Sequence, residues 1–243
     1  MIIIESQILN SFTDVKFGFS GKYGLGKKSP YWFNISYSVG ENKEEVNANR
    51  KAFLNELGLD YENLAWQKQI HSNRIKIVNK PGFQGENDAL ITTKRGIVIS
   101  AFSADCTTIF LYEAKKKIIA AVHSGWRGTA KKILPKVLQL LSDKFNASKK
   151  NLFAFIAPAI SQKNYEVGKD TASFFDDKYL IHLNNGKYLL DVSRINYDYL
   201  IDFGIPKKNI EFSKLCSFEA DFLHSYRRDK QKSGRAIGVV SLI

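Results

Sequence analysis

The chain has 243 residues, of which 44% are hydrophobic and 13% aromatic, and its formal net charge at pH 7 is +12. This length and apolar content exclude a small disulfide-stapled peptide and a disordered chain, and they predict one domain over residues 1–243. Without an apolar run of about 18 residues or a secretory leader, a cytoplasmic protein without a membrane partner is expected. Two cysteines are too few to staple a domain of this size, so we expect reduced thiols.

The positive charge is compatible with nucleic-acid binding, because clustered Lys and Arg neutralise phosphates. However, only eight of the 36 basic residues are Arg, and the lysines are scattered without a recognisable nucleic-acid-binding motif. A solvated lysine surface is therefore the favoured interpretation, and we expect no nucleic-acid partner. Four arginines differ, because they lie in segments with Gly or aromatic residues where a guanidinium can bind an anion through two hydrogen bonds: Arg127, Arg227, Arg228 and Arg235.

The first clear element is a helix that begins at Asn42 and ends at Gly58. Asn42 can cap the first turn, and four apolar residues share one face: Val46, Phe53, Leu54 and Leu57. Short β-rich segments then predict strands at 89–92, 97–102, 107–112 and 118–122. A charged turn at 113–117 joins the last two strands, which are therefore expected to be neighbours.

Later segments predict further helices and strands. Apolar residues with helical spacing follow Gly128, and Pro135 must kink that helix or lie near its start. The remaining pattern predicts strands at 152–156 and 236–242 and helices near 171–175 and 194–203. The alternation is too irregular for repeated βαβ units, so we expect an α/β fold of the α+β type, with layered mixed sheets flanked by helices.

Three residues form a candidate metal site. His123 ends a predicted strand before a glycine-containing turn, and Cys106 directly follows another predicted strand, so neighbouring strands could present both at one sheet edge. His71 lies between a short extended segment and the alternating residues Ile75 and Ile77. One thiolate and two imidazoles suit zinc and leave one coordination position open, which is typical of a catalytic site.

The spacing of these residues leaves other interpretations open. The separations of 35 residues (106 − 71) and 17 residues (123 − 106) do not form a short metal-binding motif. A lone Cys or His in a strand is usually part of the packed core. Cys106 and His123 could also form the nucleophile and base of a metal-free hydrolase.

Six short segments along the chain contain motifs typical of one protein family. They are His123-Ser-Gly-Trp-Arg-Gly, Ser103-Ala-Asp-Cys, Gln67-Lys-Gln-Ile-His, Ser29-Pro-Tyr-Trp-Phe-Asn, Ala157-Pro-Ala-Ile with Tyr165-Glu-Val-Gly, and Ser225-Tyr-Arg-Arg-Asp. Together they resemble the YfiH-like family over nearly the whole chain. That family carries the labels polyphenol oxidase, multicopper laccase and purine nucleoside phosphorylase.

The resemblance implies that His71, Cys106 and His123 bind Zn²⁺. A single Cu²⁺ ion could occupy the same site, because copper outcompetes zinc for nitrogen and sulfur ligands. The resemblance also implies layers in the order α/β/β/α and phosphorolysis of purine nucleosides such as adenosine, inosine and 5′-methylthioadenosine, with adenosine deaminase activity. The expected partners are thus a small-molecule nucleoside and phosphate. The sequence does not determine the oligomeric state.

Seven further residues are candidates for roles in this chemistry. Asp105 is a candidate for proton transfer or for orienting the metal site, and Arg127 is a candidate anion clamp, although a structural salt bridge is an equal alternative for each. An aromatic ring beside arginines would suit a stacked base, so the remaining substrate-binding candidates are Tyr226, Arg227, Arg228, Asn34 and Arg50.

Other function classes remain open. A copper-dependent polyphenol oxidoreductase follows from the older family label, but four histidines are too few for several imidazole-rich copper centres. A cysteine hydrolase acting on cell-wall precursors would use Cys106 and His123 without metal. A catalytically silent binding module would bind metal without turning over nucleosides.

Overall fold

The computed structural model describes residues 1–243 as fifteen strands and seven α-helices. The strands are β1 (Ile3–Ile4), β2 (Val15–Ser20), β3 (Leu64–Lys68), β4 (Ile75–Ile77), β5 (Gly82–Glu86), β6 (Ala89–Thr92), β7 (Val98–Ser103), β8 (Thr107–Glu113), β9 (Ile118–Ser124), β10 (Leu152–Ile156), β11 (Glu166–Val167), β12 (Leu180–His182), β13 (Tyr188–Leu190), β14 (Ile210–Phe212) and β15 (Ala236–Leu242). The helices are α1 (Gln7–Asn10), α2 (Lys43–Glu56), α3 (Trp126–Ala130), α4 (Ile133–Phe145), α5 (Lys169–Ala172), α6 (Val192–Phe203) and α7 (Tyr226–Asp229).

The strands form two six-stranded sheets and one small sheet. The first sheet has the order β1-β2-β15-β7-β3-β5, the second β14-β10-β8-β9-β6-β4, and the small sheet β11-β13-β12. Both large sheets are mixed, because β3 runs parallel to β5 and β7, and β10 runs parallel to β14, whereas β8 and β9 are antiparallel. The expected mixed sheets are confirmed.

Apolar side chains of the two large sheets pack against each other in one central cluster. Phe17 and Ile99 of the first sheet contribute to it, as do Phe110 and Phe155 of the second. On the outer face of the first sheet α2 packs in a separate cluster, and α4 and α6 cover the outer face of the second sheet. The layers therefore follow the expected order α/β/β/α. None of the helices is long and apolar enough to cross a membrane.

Most predicted elements agree with the structure. The Asn42 side chain accepts a hydrogen bond from the Glu44 amide at the start of α2, and α2 ends before Gly58, whose positive φ of 69° suits glycine. Pro135 is the third residue of α4 and lies near the helix start, where a missing amide proton costs little. The helix expected near 171–175 is instead the short α5, which begins and ends earlier.

Candidate metal centre

The connections between strands bring the three proposed metal ligands together. Cys106 lies in the tight connection from β7 to β8, and His123 lies on β9, paired with Thr108 of β8. His71 lies in the turn between β3 and β4, with a left-handed φ of 56° that is uncommon for a residue other than glycine. The three side chains meet in one cluster. Neighbouring strands predicted this proximity for Cys106 and His123, and His71 joins them from the turn after β3.

The side-chain donor atoms lie close enough to hold one ion. All three donor atoms are within 4.8 Å of one another, and His71 Nε2 lies 4.0 Å from Cys106 Sγ. Zinc bonds of about 2.0 Å to nitrogen and 2.3 Å to sulfur place two tetrahedral ligands about 3.5 Å apart. Small side-chain shifts would therefore close the cluster around a metal ion, so these residues could hold one.

Asp88 connects the two histidines. One carboxylate oxygen lies 2.8 Å from His123 Nδ1 and also accepts the His71 amide, and the other accepts the Ser72 amide and hydroxyl, both at 2.6 Å. Asp88 is fully buried, immediately before β6, which pairs with β9. Because Asp88 occupies Nδ1, it orients His123 with Nε2 toward the cluster, and it fixes the turn that carries His71.

Gly125 permits the close approach of the turn after His123. A Cβ atom at this position would lie 2.8 Å from Cys106 Sγ and 3.4 Å from His71 Cδ2. Any larger residue would therefore displace Cys106 and crowd the His71 ring. The Gly in the motif around His123 is thus explained by space at the cluster.

The cluster favours a thiolate. Burial alone would raise the pKa of the Cys106 thiol, but hydrogen bonds and charge from His123 and His71 outweigh burial and lower that pKa to about 6. Burial would lower the pKa of His123, whereas Asp88 and Cys106 raise it to about 9. Cys106 is therefore available as an anionic ligand near neutral pH, and a bound cation would displace the proton from His123.

A cavity of about 970 Å³ opens beside the cluster. The three candidate ligands line it together with Tyr226 and with Arg235, on which the charge of Cys106 acts. The rest of the wall is mainly aromatic or cationic and includes Tyr37, Trp66, Phe83, Phe102, Lys43, Arg50 and Lys68, and no carboxylate lines the cavity. Such a cavity suits a ligand with an aromatic ring and negative charge.

Arg50, one of the substrate-binding candidates, lines this cavity. Its side chain is almost fully buried, Nε donates to the Ile35 carbonyl at 2.9 Å, and Nη1 has no hydrogen-bond partner. The guanidinium carbon lies 4.0 Å from the ring centroid of Tyr37 and 4.7 Å from that of Trp66. Burial lowers the pKa of Arg50 to about 10, so it remains a cation at neutral pH.

Asn34 and Arg228 lie away from the cavity wall. The Asn34 amide nitrogen donates to Ser36 and Glu41, and its oxygen accepts the Ser36 and Arg235 amides. The Arg228 guanidinium donates to four carbonyls within 217–223 and to Asp229. Each residue holds backbone segments together.

Asp105 supports the connection that carries Cys106. One carboxylate oxygen accepts the Ser217 hydroxyl and the other accepts the Arg227 amide, both at 2.6 Å. Its own φ is left-handed at 87°, so these two bonds hold an uncommon backbone conformation directly before Cys106. This geometry favours orientation of the metal site over proton transfer.

The remaining arginine candidates lie outside the cavity wall, whereas Tyr226 lines it. Both Nη atoms of Arg227 donate hydrogen bonds to the Glu166 carbonyl at 3.0 Å. The guanidinium carbon lies 5.2 Å from the centroid of the Tyr165 ring. Arg127 is exposed on α3, with its guanidinium carbon 4.2 Å from the Trp126 ring. Arg127 has no acidic partner within salt-bridge distance, so its guanidinium is free for an anion.

Several residues of the site were not identified from the sequence. Asp88 carried one available signal, because it directly precedes the predicted strand at 89–92. Tyr37, Trp66 and Phe83 belong to three separate segments with no shared motif. Their meeting in one cavity depends on the packing of the turn that carries Tyr37 against β3 and on the pairing of β5 with β3, which no local pattern encodes.

The fold and the site together define a class: layered α/β proteins in which three side chains from both sheets could hold a single metal ion beside a substrate-sized cavity. The chain belongs to the multi-copper polyphenol oxidoreductase laccase family, whose model matches residues 16–243. The structure holds one such His–Cys–His cluster. The other histidines lie elsewhere, His182 at the surface beside Asp177 and His224 buried beside the Phe33 carbonyl.

Relatives and solved structures agree with this membership. A purine nucleoside phosphorylase of Corynebacterium glutamicum is 29% identical over 92% of this chain and 93% of its own length. A purine nucleoside phosphorylase of Deinococcus radiodurans is 31% identical over 83% of this chain and 79% of its own length. The crystal structure of the hypothetical protein YfiH of Bacillus licheniformis is similar with a TM-score of 0.90 and 26% identity, covering 94% of this chain and 93% of that one.

Proposed function

We propose that this protein is a zinc-dependent purine nucleoside phosphorylase with accompanying adenosine deaminase activity. The observation that carries the proposal is the His71, Cys106 and His123 cluster, which opens onto an aromatic cavity without carboxylates. Relatives named purine nucleoside phosphorylase support the substrate class. Adenosine, inosine and 5′-methylthioadenosine are the proposed substrates.

The donor set fits zinc better than the several coppers of the family description. Two imidazoles and one thiolate would suit a mononuclear zinc site with one open position, and a multicopper centre needs more imidazoles than this cluster has. One Cu²⁺ ion would fit the same donors. When bound, zinc would supply Lewis acidity at this end of the cavity.

The residues of the chain would perform the binding and orientation steps. Trp66 and Phe83, with ring centroids 4.7 Å apart, provide aromatic surface for the purine base. Arg235 lies at the cluster end, where its charge acts on Cys106, and it suits a phosphate held beside the sugar. In phosphorolysis a phosphate oxygen forms a bond to the ribose C1′ while the bond from C1′ to the base breaks, and the base leaves with a proton.

Roles for the remaining candidates follow from their contacts. Asp88 would orient both histidines, and Asp105 would hold the backbone before Cys106. The charges of Arg127 and Arg227 both act on Tyr165, outside the cavity wall, and Arg127 could bind an incoming anion there. Tyr226 and Arg50 would contact the substrate from within the cavity.

The test combines metal analysis of the purified protein with chromatography of adenosine and inosine, with and without phosphate. We expect one zinc ion per chain and release of base only with phosphate, plus inosine from adenosine for the deaminase. Cys106→Ala should lose both metal and turnover, whereas the matched control Cys216→Ala should keep both, because Cys216 lies outside the cluster. Full activity of Cys106→Ala would eliminate this mechanism.

The same experiment separates the alternatives. Copper in the purified protein with oxidation of phenols would favour the polyphenol oxidoreductase. Metal-free protein without nucleoside turnover would favour the cysteine hydrolase, for which the lowered pKa of Cys106 is a specific supporting observation.

A further inference from the structure

Besides the three candidate metal ligands, the cavity wall carries a second set of anion-binding groups. They are the hydroxyls of Ser36 and Ser38, the ammonium of Lys43 and the guanidinium of Arg50, here called the outer subsite. We infer that the outer subsite binds the phosphoryl group of a nucleoside 5′-monophosphate, so that the substrates include nucleotides. This inference rests on the proposed function for the purine specificity of the cavity.

The environment of Arg50 is the strongest evidence that the outer subsite binds an anion. A buried cation without a counterion is costly, and Arg50 is 1% exposed with Nη1 unpartnered. The ionisable side chains whose charges act on it are Tyr37 and Tyr61, and neither is a carboxylate. The aromatic rings around the guanidinium hold it in place, so little side-chain freedom would be lost when an anion binds.

Lys43 supplies a second charge at the mouth. It is the first residue of α2 and is exposed, and its charge acts on the Tyr37 hydroxyl, which places it beside the Arg50 cage. The other lysine of the wall, Lys68, already pairs with Glu86 at 2.8 Å. Lys43 is therefore the cation of the mouth that remains available to a ligand.

The cavity is large enough to hold a nucleotide. A cavity of about 970 Å³ lies near the upper end of the range of about 300–1,000 Å³ for small-molecule sites. Arg235 at the cluster end can serve the phosphate that attacks the sugar, so the outer subsite is not needed for that phosphate. An additional anionic group on the substrate would use the remaining space and charge.

Isothermal titration calorimetry with adenosine, adenosine 5′-monophosphate and inorganic phosphate tests the inference without requiring turnover. We expect the monophosphate to bind at least about tenfold more tightly than adenosine, because charge-assisted hydrogen bonds are added. Lys43→Glu should weaken monophosphate binding about tenfold and leave adenosine binding nearly unchanged. The matched control Lys136→Glu, on the exposed face of α4, should bind both ligands like the wild type.

Two results would overturn the inference. One is a monophosphate that binds no more tightly than adenosine, and the other is a monophosphate affinity that Lys43→Glu leaves intact. If inorganic phosphate binds beside bound adenosine in a Lys43-dependent manner while the monophosphate has no advantage, the outer subsite serves free phosphate and the nucleotide inference is wrong.

The outcomes also separate this inference from the proposed function. Turnover of adenosine without a monophosphate advantage would leave the phosphorylase proposal intact and remove the outer subsite. Lys43-dependent binding of the monophosphate without turnover of any nucleoside would support the outer subsite and contradict the phosphorylase.

Discussion

Asp88 shows how one buried carboxylate can organise a metal site without being a ligand. It bonds the ring of His123 and the backbone of the turn that carries His71. Asp88→Asn removes the negative charge behind His123, and we expect metal affinity to fall about 10- to 100-fold. Competition with a chromophoric chelator measures this affinity.

The exposed pair of Asp177 and His182 provides the control for the Asp88→Asn variant. Asp177 bonds His182 at 2.5 Å, outside the metal centre, and both side chains are exposed. Asp177→Asn should leave metal affinity unchanged. Equal affinity in both variants would show that Asp88 holds the backbone only.

Arg127 tests whether a free guanidinium on α3 serves the phosphate. Arg127→Lys keeps the charge but loses the planar fork, so we expect KM for phosphate to rise about tenfold with unchanged thermal stability. Steady-state kinetics at varied phosphate measures this effect. Arg194→Lys, at an exposed arginine of α6 that pairs with Asp198, is the control. Unchanged phosphate kinetics in Arg127→Lys would show that Arg127 does not bind phosphate and that its contact with Trp126 is structural.

His224 makes stability depend on pH. Burial, together with the charges of Lys22 and Arg235, lowers its pKa to about 3, and the Phe33 carbonyl accepts from Nε2 at 3.2 Å. The unfolded chain therefore binds a proton at higher pH than the folded chain does. The stabilisation is fully present above about pH 6.5 and is lost as the pH falls toward 3.

His224→Gln should remove part of this dependence. Between pH 6.5 and 4.5 we expect the free energy of unfolding of the wild type to fall by roughly 2 kcal/mol more than that of the variant. Urea denaturation at each pH measures the difference, with His182→Gln as the exposed control. Parallel pH profiles for wild type and His224→Gln would contradict the assignment.

At the scale of elements, α2 matters because it carries both Lys43 and Arg50. Asn42→Ala removes the side-chain cap of this helix, and we expect the free energy of unfolding to fall by about 1 kcal/mol. Chemical denaturation gives the value. Asn42→Ser retains a capping oxygen and should behave like the wild type, so an equal loss in both variants would place the effect outside the cap.

Elements with strong local patterns could be predicted from the sequence. The apolar face of α2, its Asn cap and the runs that became β6, β10 and β15 are local signals. The region of α5 was predicted less well, because Phe174 and Phe175 follow the helix, and Phe174 is largely exposed. Apolar residues there supplied a helical pattern without a buried helix.

At the scale of the site, neighbouring strands were enough to place Cys106 beside His123. The cavity wall and Asp88 could not be placed, because their partners are distant in sequence and depend on how α2 and the two sheets pack.

At the scale of the whole molecule, the central cluster predicts cooperative unfolding. Side chains of both large sheets share this core, so neither sheet can separate without exposing the other. We expect far-ultraviolet circular dichroism and tryptophan fluorescence to give the same denaturation midpoint. Two separate midpoints would contradict the prediction that residues 1–243 form one domain.

The positions of the three candidate ligands also link metal binding to the stability of the fold. His71 follows a strand of the first sheet, His123 lies on a strand of the second, and Cys106 lies in the connection between the sheets. An ion held by all three would cross-link the two sheets. Because the unfolded chain lacks this arrangement, resistance to heat and proteases would follow the free metal concentration, and metal starvation would shorten the lifetime of the protein.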